Sequence, residues 1–127
     1  MPDLFVYGTL RFPEVLDALL GRVPPTSPAS ASGWRVAALP GAAYPGLVAA
    51  QGTARGLLLH GLSAAELDVL HAYEDDDYTV ETIALDGGGE AVAYVWRREV
   101  LAHDWDPGAF DVAAWVPGCV AFRASLG

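Results

Sequence analysis

Leu4-Phe5-Val6-Tyr7-Gly8-Thr9-Leu10 opens the ordered part of this sequence. Four apolar residues stop at a glycine, a run too short for a helix and bounded by a turn residue, so it reads as a buried strand. Gly8 lets the backbone turn tightly and approach a ligand closely. Successive N–H groups in such a loop, with a helix start beyond, suit an anionic oxygen. That helix start follows: Pro13 fits a first helical position, and Val15, Leu16, Leu19 and Leu20 repeat at helical spacing up to Gly21. The loop is not a phosphate-binding P-loop, because no second glycine followed by lysine is present.

Beyond this unit, Pro24 to Pro28 reads as a surface connection and Gly33 to Leu39 as a strand ending at the Pro40-Gly41 turn. Tyr44-Pro45-Gly46 is extended or turn-like, and Arg55 to His60 is another strand. Ser63 to Glu74 is the clearest helix. Ser63 and Glu66 form a capping box, and Leu62, Leu67, Leu70 and Tyr73 form an apolar stripe. Tyr78 to Leu85 and Ala91 to Trp96 form a hairpin about Asp86-Gly87-Gly88-Gly89. Phe110 to Trp115 is helical, with Pro117 ending or kinking it. The order β-α-β-β-α-β-β-α predicts an α+β domain with a mixed or largely antiparallel sheet. Nothing divides residues 1–127, so a single domain is expected.

Composition narrows the function. The chain has 127 residues, 53% of them hydrophobic, enough for a core without disulfide or metal. The net charge of −9, with arginine as the only strong cation, opposes nonspecific binding to nucleic acid or to anionic membranes. One cysteine, Cys119, excludes an intrachain disulfide and suits a reducing, cytoplasmic setting. Strand-like sequence from Asp3 predicts no signal peptide, and the apolar runs are too short to span a bilayer. Many Ala, Gly, Pro and Arg without Lys point to a GC-rich bacterial genome.

Few side chains offer chemistry. Tyr73-Glu74-Asp75-Asp76-Asp77-Tyr78 contains four consecutive acids, ordinarily a solvated helix end. Glu74, flanked by tyrosines where an amphipathic helix ends, is placed to be partly buried with a raised pKa, as a base near neutral pH requires. His60, His71 and His103 have no metal-ligand spacing and read as chance surface or core residues, so no metal or other cofactor is expected. Ser63 reads as a cap, Cys119 as an inert buried thiol, and Trp34, Trp96, Trp105 and Trp115 as core.

Taken in order, Tyr7-Gly8-Thr9-Leu10, Tyr44-Pro45-Gly46, Gly56-Leu57-Leu58-Leu59, Leu70-His71-Ala72-Tyr73-Glu74 with Tyr78, and Ala93-Tyr94-Val95-Trp96 resemble the gamma-glutamylcyclotransferase-like family. The resemblance implies a small mixed β-barrel with flanking helices. It implies release of 5-oxoproline and an amine from a small gamma-glutamyl substrate, with no cofactor. The loop Tyr7, Gly8, Thr9 and Leu10 would bind the gamma-glutamyl part, and Glu74 would be the catalytic acid/base. Tyr44, Tyr78 and Tyr94 are added from position as pocket residues. Many relatives carry a basic residue after the second tyrosine, where this chain has Thr79. A catalytically idle binding or interaction module of the same fold, and a biosynthetic gamma-glutamyl deprotecting enzyme, remain open alternatives.

Overall fold

The computed structural model describes residues 3–74 and 76–126. Its elements are β1 (Leu4–Val6), α1 (Pro13–Leu20), β2 (Thr26–Ala38), β3 (Pro45–Leu59), α2 (Ala64–Tyr73), β4 (Tyr78–Ala84), β5 (Glu90–Trp96) and α3 (Val112–Ser125). Short 3₁₀ turns stand at Thr9–Arg11 and Pro107–Ala109. The strands form one mixed sheet in the order β2-β3-β1-β5-β4.

β1 is the hub, and its alternation assigns the two sides of the sheet. Leu4 and Val6 face one core with Val15, Leu16 and Leu19 of α1, Leu70 of α2 and Cys119 of α3. Phe5 and Tyr7 face the other with Leu47, Ile83 and Val95. Each of these large apolar side chains contributes roughly 1.5–3 kcal/mol by leaving water.

β3 gives the sheet its curl. Leu57–Leu59 run antiparallel to β1, while Leu47 pairs in parallel with Val95 of β5. β1 and β5 are themselves parallel, so β3 reverses its course between its ends. The bend lies where Ser32 pairs with Thr53 but Trp34 pairs with Ala49, which leaves extra β3 residues unmatched. Gly52 (φ 127°) and Gly33 (φ 86°) take the backbone conformations that this corner demands.

The structure corrects several expectations. The sheet curls but is not closed: among the described residues β2 and β4 stand at its two ends without pairing, so the expected barrel is an open mixed sheet. β2 begins at Thr26, inside the segment read as a surface connection, because its first residues pair with Leu58 and Leu59. Tyr44-Pro45-Gly46 leads directly into a 15-residue strand. Its alternation is hidden by glycines, and one of these, Gly56, has no room for a side chain because a Cβ there would lie 2.2 Å from the Val6 carbonyl. α3 continues through Pro117 to Ser125. The carbonyl that loses its partner belongs to Ala113, on the exposed side, where water can serve it. The opposite side, with Val116, Cys119 and Phe122, holds the helix on the core.

Candidate active site

The end of β1, the loop after it, the start of β3 and the end of α2 converge on a cavity of about 180 Å³. That is smaller than a drug-sized pocket and suits part of a small metabolite. Tyr7, Gly8, Thr9 and Leu10 form one wall. Tyr44, Tyr78 and Glu74 line the same cavity. The sequence-derived candidates are therefore neighbours in space. Asp75, one of the acids beside Glu74, lies outside the described residues.

The loop is shaped by packing as much as by turning. Gly8 precedes the Thr9–Arg11 turn and accepts a hydrogen bond from the Arg11 N–H (3.0 Å). A Cβ at Gly8 would sit 2.7 Å from Pro45 Cγ, so the absent side chain is what lets the start of β3 close on the loop. Thr9 and Leu10 are buried beneath it.

The phenols are fixed by their hydroxyls. Tyr7 donates to the Tyr94 carbonyl (2.5 Å) and Tyr78 donates to the Pro45 carbonyl. The Tyr78 ring stacks edge-on against Tyr94 and Trp96. Tyr44 packs its ring near Trp115. Glu74 terminates α2: its N–H still bonds to the Leu70 carbonyl (3.2 Å), but its backbone is extended (φ −74°, ψ 146°), which directs the chain away from the helix.

Two further residues complete the wall. Tyr73 Oη receives the Trp115 Nε1–H (2.7 Å) and lies 3.0 Å from Thr9 Oγ1. The sequence pattern assigns both Tyr73 and Trp115 to core, and each is in fact core on one side and cavity wall on the other. An amphipathic ring at the edge of an apolar stripe is the signal that marks such a dual role. Tyr94, named from position alone, also lines the cavity.

Electrostatics single out one group. Burial pushes the hydroxyls of Tyr7, Tyr73 and Tyr94 above their usual range, and the Glu74 charge raises all three further. These phenols stay protonated at any working pH and act as hydrogen-bonding walls rather than bases. Among the described lining residues, Glu74 is the only carboxylate, and no His, Cys, Lys or Arg accompanies it. Among the described lining residues it is the side chain of the type that serves as a general acid or base. Among the described residues no cluster of His, Cys, Asp and Glu is placed to hold a metal ion, and no helix is long and apolar enough to cross a membrane.

Comparison with known proteins agrees with this geometry. Residues 4–111 match the family model described as gamma-glutamyl cyclotransferase, AIG2-like. The chain is 37% identical to AIG2-like protein C of Arabidopsis thaliana over 113 residues, which is 82% of this chain and 66% of that protein. It is 31% identical to AIG2-like protein D of the same plant, over 84% of this chain and 76% of that one. The solution structure of At3g28950.1 from Arabidopsis thaliana superposes with a TM-score of 0.70 at 28% identity, covering 98% of this chain and 81% of the other. The crystal structure of PH0828 from Pyrococcus horikoshii shares the fold, with a TM-score of 0.62 at 16% identity over 93% and 97% of the two chains. With residues 4–111 matched, and with the loop, Glu74 and the phenols gathered on one small cavity, this chain belongs to the gamma-glutamyl cyclotransferase, AIG2-like family.

Proposed function

We propose that the protein is a cyclotransferase that releases 5-oxoproline and a free amine or amino acid from a small gamma-glutamyl compound. The observation that carries this reading is Glu74 as the one carboxylate among the described residues of a phenol-lined cavity. The reaction is an intramolecular aminolysis. The substrate's α-amino group and γ-carbonyl are already tethered, so a small cavity that folds the chain back on itself supplies much of the rate enhancement by proximity. An α-amino group has a pKa of about 8 and is largely protonated at neutral pH. Glu74 accepts a proton from it and returns one to the departing nitrogen.

The remaining lining residues bind and orient the substrate. With no cationic side chain among the described lining residues, backbone N–H groups of Gly8–Leu10 are the donors for a carboxylate or a developing oxyanion. Tyr44 and Tyr78 pack against the chain of the glutamyl group. The test is a screen of gamma-glutamyl amino acids, gamma-glutamylamines and glutathione for 5-oxoproline release. Release from at least one class is expected. Binding of such compounds without release would return the protein to a binding module.

A further inference from the structure

We infer that His71 is a positioning residue for the Tyr94 hydroxyl and, through it, the outlet of a proton path between the cavity and solvent. The inference rests on the cyclotransferase reading above. It begins from stoichiometry. The substrate's α-nitrogen enters as an ammonium with three protons and leaves as a lactam nitrogen with one. As the new C–N bond forms and the old one breaks, one of the two released protons passes through Glu74 to the leaving nitrogen. The other must leave the cavity, and the free amine later takes up its own proton from solvent. A single carboxylate holds one proton at a time, so a second group linking the cavity to solvent speeds the exchange.

The structure offers such a route at Tyr94. Its side chain is 4% exposed and lines the cavity. Its hydroxyl lies 2.7 Å from His71 Nδ1, with the two rings edge to face at 5.6 Å. His71 is exposed on α2, one turn before Glu74 and so on the same side of the helix. The buried phenol thereby joins the cavity to a solvent-facing imidazole, a side chain suited to shuttling protons near neutral pH. When Nδ1 carries a proton it donates to Tyr94 Oη and turns the phenol proton toward the cavity. When Nδ1 is bare it accepts that proton. Among the described residues, the ionisable groups around the imidazole are Asp68 and Glu74, three residues away on either side, and Tyr94 from β5, against which Tyr78 of β4 packs.

His71→Gln retains a hydrogen-bonding side chain for Tyr94 but cannot ionise, and its exposed position leaves the fold intact. Its kcat should fall about tenfold or more at neutral pH with KM little changed, because the defect is in proton transfer. Added imidazole should restore turnover in this variant and leave the wild-type protein unaffected. A His71→Gln enzyme with wild-type kcat and no response to imidazole overturns the proposal. A second arm needs no turnover: the ¹⁵N chemical shift of His71 Nδ1 at one fixed pH. Glu74→Gln should move this resonance, and that move should shrink by about half or more in a Tyr94→Phe background. An equal move in both backgrounds overturns the path. Wild-type protein that releases no 5-oxoproline from any substrate counts against the cyclotransferase reading alone, and the NMR arm then decides the path.

Discussion

Helix α2 carries a glutamate at each end, and the two are handled in opposite ways. At the N-terminal end Glu66 is saturated with donors. Arg22 clasps both its oxygens (2.7 and 2.8 Å), and the Ser63 N–H bonds to it at 2.9 Å. The Arg22 hydrogen bonds, followed by that from the Ser63 backbone, hold its pKa down at about 2. Glu66 is therefore a permanent anion near a helix N-terminus, where negative charge is favoured. At the C-terminal end Glu74 stands at a negative helix terminus, on a cavity lined by the phenols of Tyr7, Tyr73 and Tyr94. One residue type, on one helix, serves as a fixed structural charge at one end and as a candidate exchangeable one at the other. The neighbours, not the acid, make the difference.

Four changes test the contrast. The largest effect is expected at the cavity end: Glu74→Gln keeps the size of the side chain but neither accepts nor returns a proton. Turnover should drop about 10²–10⁴-fold with the melting temperature and ligand affinity nearly unchanged. A folded Glu74→Gln protein with wild-type turnover would remove the acid from the reaction and leave α2 with two structural glutamates.

Next is Tyr73→Phe, which strands the half-buried Trp115 Nε1–H and takes away the partner of Thr9. A loss of about 1–3 kcal/mol is expected in chemical denaturation, with KM rising more than kcat falls as the loop loosens. Stability equal to wild type would mean that α3 is not tied to the cavity through this hydroxyl.

At the opposite end Ser63→Ala removes the cap that accepts from the Glu66 N–H. It should cost about 1 kcal/mol and leave kcat untouched. A fall in kcat comparable to that of Glu74→Gln would erase the distinction between the two ends.

The smallest effect concerns pH. Because folding lowers the Glu66 pKa from 4.5 to about 2, its ionised form contributes stability above pH 4.5 that is lost as pH falls toward 2. Glu66→Gln retains most of the capping geometry without the charge, so its stability should lack that acid-side decline. Denaturation midpoints measured from pH 5 to pH 2 check it, and parallel curves for the two proteins would show that the Arg22 clasp adds nothing on folding.

The structural half of this contrast is legible in the sequence. The Ser63–Glu66 box is written in local spacing, and both its reciprocal hydrogen bonds form. The loop after β1 and the acid after α2 were visible because turn chemistry and helix ends are short-range signals. The Tyr73–Trp115 bond was not, since it joins residues 42 apart on separate helices. The His71–Tyr94 contact was hidden for the same reason, and a lone histidine carries no pattern of its own. β3 was read only as its second half because the glycines that let it bend also blank the alternation by which a strand is recognised. Pro117 misled because local propensity was outweighed by the packed side of α3.

Trp115 lies four residues beyond the stretch that matches the family model, yet it forms part of the cavity wall and steadies Tyr73. The cavity is thus assembled from two sources: the loop and the acid lie within the shared stretch, and one ring of its wall comes from the helix that follows. A change at Trp115 would reshape the cavity and the support of Tyr73 with no edit to the loop or to Glu74.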